Sequence, residues 1–283
     1  MEVIQSVAAL RPQTATDKHD LSRPILELKG VTVRFNNTLA LDDVSFGLQQ
    51  GERVAVIGPN GAGKSTLFNV ISGVLPPSQG RADIYGHMPG EHICIAYVPQ
   101  RSEVDWKFPV NVADAVMMGR VGRLGLFRWP KRRDWDYVNE VLEVVGMSHL
   151  ARRQIGELSV GQQQRVFIAR ALAQEAELML MDEPLAGLDV KSQEDIFGIL
   201  DKLRHHQVTV IVATHDLNLA AERFDRLMLI NQKIIGFGQA SDVFTADLLS
   251  QAYSGSMRLI ETDNGTIFIS DSHCCGGEEH VHG

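Results

Sequence analysis

The chain has 283 residues, 44% of them apolar and 22% charged, proportions ordinary for one large globular domain or a domain with a subdomain. Its net charge of −8 excludes a broad basic surface for nucleic acid, and no apolar run approaches the roughly 20 residues that a bilayer crossing needs. The three cysteines, Cys94, Cys274 and Cys275, lack framework spacing, which excludes a disulfide-stapled scaffold and favours a reducing compartment.

Residues 1–24 are expected to form a polar, mobile leader whose apolar run is too short for a secretory signal. From Leu26 to Phe35 apolar and polar residues alternate as in a strand, and Leu39–Leu41 and Val44–Phe46 do the same after a turn at Asn36-Asn37. These segments predict an antiparallel β layer ahead of a parallel core. Arg53–Ile57 is a short buried-strand run, and Ser65–Ile71 lacks breakers and reads as a helix. Between them stands Gly58-Pro59-Asn60-Gly61-Ala62-Gly63-Lys64-Ser65, followed by Thr66. Glycines there let backbone N–H groups turn inward around phosphate oxygens, Lys64 can reach the β- and γ-phosphates, and the Ser65 hydroxyl can ligate Mg²⁺. The helix N-terminus adds its partial positive charge. Strand, loop and helix in that order make a nucleotide site.

Pro76–Gly80 breaks the chain, and Ile84–Gly86 and Ile93–Val98 follow as strands. From Val110 to Ala173 the pattern is helical: Val112, Ala115, Val116 and Met118 fit one face, and Val138, Val141, Leu142 and Val145 another. Leu178–Met181 reads as a buried strand, Ser192–His205 as a helix and Val208–Ala213 as a strand. Strand–helix alternation around a phosphate loop implies a mostly parallel α/β core, interrupted by an inserted helical subdomain.

Leu158-Ser159-Val160-Gly161-Gln162-Gln163-Gln164-Arg165 opens a strong helical pattern with Ser159 as N-cap. It is either a capped core helix or a second anion site at a helix N-terminus. The strand Leu178–Met181 runs into Asp182-Glu183-Pro184. Beside a phosphate loop, Asp182 can hold Mg²⁺ through water and Glu183 can polarise an attacking water, while Pro184 stops the strand. Leu185-Ala186-Gly187-Leu188-Asp189 follows. Thr214-His215-Asp216 closes a core strand, where His215 is either a surface histidine or a γ-phosphate contact, since ligands lie outside the carboxyl ends of parallel strands.

On Gly58–Ser65, Gln100, Ser159–Gln163, Asp182-Glu183, Asp189 and His215, in that order, residues 25–253 resemble ATP-binding-cassette (ABC) transporter ATPase subunits, leaving 254–283 as a C-terminal extension. The resemblance implies a P-loop NTPase of RecA-like α/β fold: a mostly parallel core, an antiparallel β layer and an inserted α-helical subdomain over about 101–173. It implies ATP and Mg²⁺ as cofactors. Catalytic roles would fall to Lys64, Gln100, Glu183 and His215, and Mg²⁺ would be held by Ser65, Gln100 and Asp182. Nucleotide contacts would come from Gly58, Pro59, Asn60, Gly61, Ala62, Gly63, Lys64, Ser65 and Thr66. Phe35 stands where the family stacks an aromatic on adenine; the alternative is a β-layer core residue. Asp189 would also bind nucleotide. Two copies would pair head to tail, with the Ser159–Gln163 segment of one copy (Ser159, Gly161 and Gln163 as contacts) covering the γ-phosphate on the loop of the other. Val160 replaces the family's usual glycine, and its Cβ is expected to restrict the backbone there.

In the family, the stretch after Gln100 docks the transmembrane subunit. Here residues 101–134 mix Trp106, Phe108, Phe127 and Trp129 with Arg101, Arg128 and Lys131–Arg133, a composition suited to an interface; the alternative is a solvated basic loop. Val104-Asp105-Trp106-Lys107-Phe108-Pro109 is similar to the manganese/zinc/iron branch of bacterial metal importers. The resemblance thus implies a manganese importer ATPase on the cytoplasmic face of the membrane, with zinc or iron import, or an ABC ATPase that moves no solute, as alternatives. Its partners would be a polytopic permease and, indirectly, an extracytoplasmic metal-binding protein, with no nucleic acid. Finally, His273-Cys274-Cys275, His280 and His282 are spaced as Zn²⁺ ligands could be, or belong to a polar, mobile tail.

Overall fold

The computed structural model describes residues 22–89, 94–124, 128–253, 257–262 and 265–270. Among the described residues the first elements are β1 (Leu26–Phe35), β2 (Thr38–Leu48), β3 (Arg53–Ile57), α1 (Lys64–Ile71) and β4 (Gln79–Ile84). After β5 (Ile95–Val98) come α2 (Val112–Met117), α3 (Val121–Leu124), α4 (Arg132–Val144) and α5 (Val160–Ala173). Alternation then resumes with β6 (Leu178–Asp182), α6 (Val190–His205), β7 (Thr209–Thr214), α7 (Leu217–Arg223), β8 (Arg226–Asn231) and β9 (Lys233–Gly238). α8 (Ala240–Val243), α9 (Ala246–Tyr253) and the hairpin of β10 (Met257–Thr262) with β11 (Gly265–Ser270) follow.

Six strands form the central sheet in the order β5-β6-β7-β3-β8-β9, parallel except for β9. A second, antiparallel sheet has the order β2-β1-β4, which is the expected β layer with one strand added from beyond the phosphate loop. β3 lies inside the central sheet and all its residues are buried. Its alternation divides the core in two. Val54 and Val56 pack with α1 and the antiparallel sheet, through Leu67, Phe68 and Leu28. Ala55 and Ile57 face the helical side, with Val112, Val166 and Ile196. A parallel sheet covered on both faces needs such unbroken apolar strands.

Several boundaries differ from the expectation. The two predicted segments Leu39–Leu41 and Val44–Phe46 are one strand, β2, kinked where Asp43 turns left-handed at φ 53°. β4 ends at Ile84 because Tyr85 and Gly86 take φ of 49° and 81° and turn the chain. Ile93 lies outside the described residues. Among its described residues the helical region holds four α-helices, and Met118, expected on the buried face, is 42% exposed while Met117 is 6% exposed. Six residues after Val112, Met118 stands about 240° round an α-helix from it, off the stripe of Val112, Ala115 and Val116 that the helix buries. α6 starts at Val190 rather than Ser192 because the Asp189 side chain caps it, accepting from the Ser192 N–H.

Candidate functional site

Sheet register assembles the site. Ile57 of β3 lies opposite Thr214 of β7, and Asp182 of β6 opposite Ala213. The residues that follow, Gly58, Glu183 and His215, therefore leave the sheet along one edge, at the carboxyl ends of the parallel strands. A cavity of about 640 Å³ opens there, walled by the loop Gly58–Thr66 with Gln100, Asp182, Glu183 and His215, and closed by Ala40 and Tyr253.

The loop needs its glycines at two points. A Cβ on Gly58 would press into the Ile230 carbonyl oxygen, and Gly63, at φ 96°, would put one 2.5 Å from the Ala40 carbonyl oxygen. Gly63 is also the N-cap of α1, so the loop's amides and the helix N-terminus converge. The Lys64 ammonium, 8% exposed, folds back and donates to the carbonyls of Gly58 (2.7 Å) and Pro59 (3.1 Å). Burial pulls its pKa below the ordinary lysine value, against the opposing pull of the Glu183 and Asp182 carboxylates.

Two linked pairs face the loop. The Ser65 hydroxyl donates to Asp182 Oδ2 at 2.8 Å. Burial lifts the Asp182 carboxyl above its ordinary range, and the Ser65 hydrogen bond opposes this. Gln100 Nε2 donates to Glu183 Oε2 at 3.1 Å, and His215 Nδ1 lies 3.4 Å from Glu183 Oε1. Glu183 holds a left-handed backbone, φ 48°, a strained state for a residue with a side chain. It is kept there by its N–H donating to Ala213 O (3.0 Å) and its carbonyl accepting from Ala186 (3.2 Å). Lys64, Ser65, Gln100, Asp182, Glu183 and His215 thus line one cavity.

The remaining predicted residues lie elsewhere. Ser159 caps α5: its Oγ accepts from the Gln162 N–H (3.3 Å), and Gln162 Oε1 accepts from the Ser159 N–H (3.0 Å). Gly161 packs against Ser192 at the start of α6, and Asp189 accepts from both the Ser192 N–H and Oγ. Those bonds hold the Asp189 carboxyl below its ordinary pKa. Val160 is the first residue of α5 and is not left-handed, a backbone that a residue with a Cβ adopts without strain. Gln163 departs from expectation: it is 4% exposed, accepts from Arg101 and donates to Ile155 O. None of these residues lines the loop cavity. Phe35, at the end of β1, is 49% exposed, which rules out the core alternative; it too lies off the cavity wall.

Of the segment after Gln100, Trp106 is packed against Phe167, with ring centroids 5.0 Å apart, whereas Phe108 and Trp129 are 54% and 89% exposed and Lys131, Arg132 and Arg133 are exposed as well. Phe127 and the tail ligands His273, Cys274, Cys275, His280 and His282 lie outside the described residues. Among the described residues no helix is long and apolar enough to cross a membrane. Sequence reasoning missed Tyr253. It ends α9, whose Ala252 carbonyl accepts from Asn231 Nδ2 at 2.9 Å, and burial lifts its hydroxyl to about 12. No local motif marks a residue so far along the chain from the loop it borders.

This arrangement also has known counterparts. The family model described as ABC transporter matches residues 41–186. The chain is 43% identical over 237 residues to the manganese transport system ATP-binding protein MntB of Bacillus subtilis (strain 168), covering 83% of this chain and 95% of that one. It is 43% identical over 258 residues to the zinc transport system ATP-binding protein TroB of Treponema pallidum (strain Nichols), covering 91% and 93%. Among solved structures, a metal-chelate type ABC transporter in an inward-facing conformation superposes with a TM-score of 0.76 at 29% identity, over 88% of this chain and 98% of that one. With its phosphate loop, paired acids and capped second helix matched along most of its length, the chain belongs to the ABC transporter family of ATPases.

Proposed function

We propose that the chain is the ATP-hydrolysing subunit of an importer for divalent metal ions, manganese first, with zinc and iron as the alternatives. The observation that carries the hydrolytic part is the convergence, at one cavity, of the Ser65–Asp182 pair with Glu183 held by Gln100 and His215. ATP binds along Gly58–Thr66 with Lys64 against its terminal phosphates. The oxygens of Ser65 and Asp182, 2.8 Å apart, with Gln100 alongside, are a hard donor set that fits Mg²⁺; when bound, that ion offsets phosphate charge. Glu183 takes the proton of the water that attacks the γ-phosphorus, the bond to ADP breaks, and Lys64 and His215 stabilise the charge that develops.

A second copy completes the site head to tail, bringing Ser159, Gly161 and Asp189 to the nucleotide. Their positions off their own cavity, at the starts of α5 and α6, support this, because a helix N-terminus is a natural phosphate contact. The exposure of Phe35 supports adenine stacking. The exposed Phe108 and Trp129 with neighbouring arginines support docking of a polytopic permease at the cytoplasmic face of the membrane, and an extracytoplasmic protein then selects the ion. Manganese rests on the Val104–Pro109 segment and on the named transport systems of the relatives.

Uptake of labelled metal in a strain lacking the chain tests the reading. Manganese uptake should fail and return with the wild-type chain but not with Glu183→Gln. Selective loss of zinc or iron uptake would move the cargo to that metal, and unaltered uptake of all of them would overturn import.

A further inference from the structure

The residue after Gln100 makes a contact that hydrolysis as described does not use. Arg101 donates through Nε and Nη2 to Gln163 Oε1, at 3.3 and 3.1 Å. Gln163 is buried in the first turn of α5, and its own Nε2 is held by Ile155 O at 3.1 Å. Trp106 closes the arrangement. Its indole N–H donates to the Arg101 carbonyl at 2.9 Å, its ring lies 5.5 Å from the Arg101 guanidinium carbon, and its far face packs on Phe167, one turn beyond Gln163 on α5. Gly156, just ahead of the helix, would put a Cβ 2.8 Å from the Trp106 carbonyl oxygen, so the backbone of this segment packs closely against the turn before α5.

A short chain of contacts therefore runs from Glu183 through the Gln100 amide and one peptide unit to the Arg101 guanidinium, Gln163 and the turn Ser159–Gly161. Gln163 is inside the fold, so it does not meet a nucleotide directly; it gives Arg101 a fixed handle on the helix. A planar guanidinium offering two donors to one oxygen constrains orientation as well as distance. We propose that Arg101 is a positioning residue: it sets the angle of the α5 N-terminus according to where Gln100 sits at Glu183, so that the Ser159–Gly161 turn is aimed for a second copy only when the hydrolytic site is in order. This rests on the reading that the turn completes the site of another copy.

The test is steady-state ATP hydrolysis by the chain in its transporter complex. Arg101→Met and Gln163→Leu should each lower kcat about tenfold with the KM for ATP within about twofold of the parent, and the double variant should be no slower than either single one, since all three cut the same link. Arg101→Lys, which keeps one donor, should recover part of the rate. Thermal melting of each variant separates this from unfolding, because loss of packing alone would lower the melting temperature and give additive effects. A parental kcat in Arg101→Met, additive losses, or a matching rise in KM would overturn the inference. Ser159→Arg is the control for the underlying reading. If it turns over at the parental rate, the second-copy reading falls and the inference with it; if it is inactive while Arg101→Met is fully active, the inference alone falls.

Discussion

At Glu183 strain and chemistry coincide. A left-handed backbone, φ 48°, costs a residue with a side chain about 1–3 kcal/mol, and here it lets both carboxylate oxygens meet partners, Gln100 and His215. Glu183→Gln should retain ATP binding, read with a fluorescent nucleotide, and lower hydrolysis by about 10²–10⁴-fold, the contribution of a positioned general base. Asp182 carries a different cost. Its pKa is raised by burial above 3.8, so the folded chain binds that proton more tightly than the unfolded one. The resulting stabilisation is full below pH 3.8 and is lost as pH rises through the folded-state value. At neutral pH the ionised carboxylate is therefore a burden on the nucleotide-free chain. Asp182→Asn should raise the melting temperature there while abolishing hydrolysis, and the gain should shrink on acidification. A melting temperature unchanged between the two proteins at every pH would count against this account.

Among the elements, α5 and α6 meet at a close contact. A Cβ on Gly161 would lie 2.8 Å from Ser192 Cβ and closer still to its hydroxyl, so the two helix starts touch through a hydrogen. Gly161→Ala should destabilise by about 1–3 kcal/mol, as overpacking does, and Ser192→Gly should restore part of the loss in denaturant melts. The sequence announces such elements unevenly. The phosphate loop was legible because strand, glycines, lysine and helix are contiguous, and Asp182 and Glu183 because they end an unbroken apolar strand. The role of Gln163 was not, since one residue's rotation along α5 separates a surface position from a buried one. Met118 was misjudged because an apolar side chain near the stripe is not on it: six residues from Val112 is about 240° round the helix. Ala40 reaches the cavity on β2 and Tyr253 at the end of α9, beside the Asn231–Ala252 hydrogen bond, tertiary placements that a motif cannot express.

For the whole molecule, the separation of the loop cavity from Ser159, Gly161 and Asp189 bears on assembly. If two copies complete each other, Glu183→Gln with ATP should sediment as a dimer and revert to monomer when ATP is removed, because hydrolysis no longer releases the pair. A monomer under both conditions would leave the starts of α5 and α6 without a nucleotide.

The strand order has a consequence in time. β3 carries the phosphate loop, yet its sheet neighbours are β7 and β8, which leave the ribosome much later. A nascent chain reaching only residue 186 holds the whole family-matched block but lacks both partners of its central strand. Long-range pairing of this kind forms late, so that block should not fold by itself. Nucleotide binding should arise only once Tyr253 has emerged to complete the cavity wall.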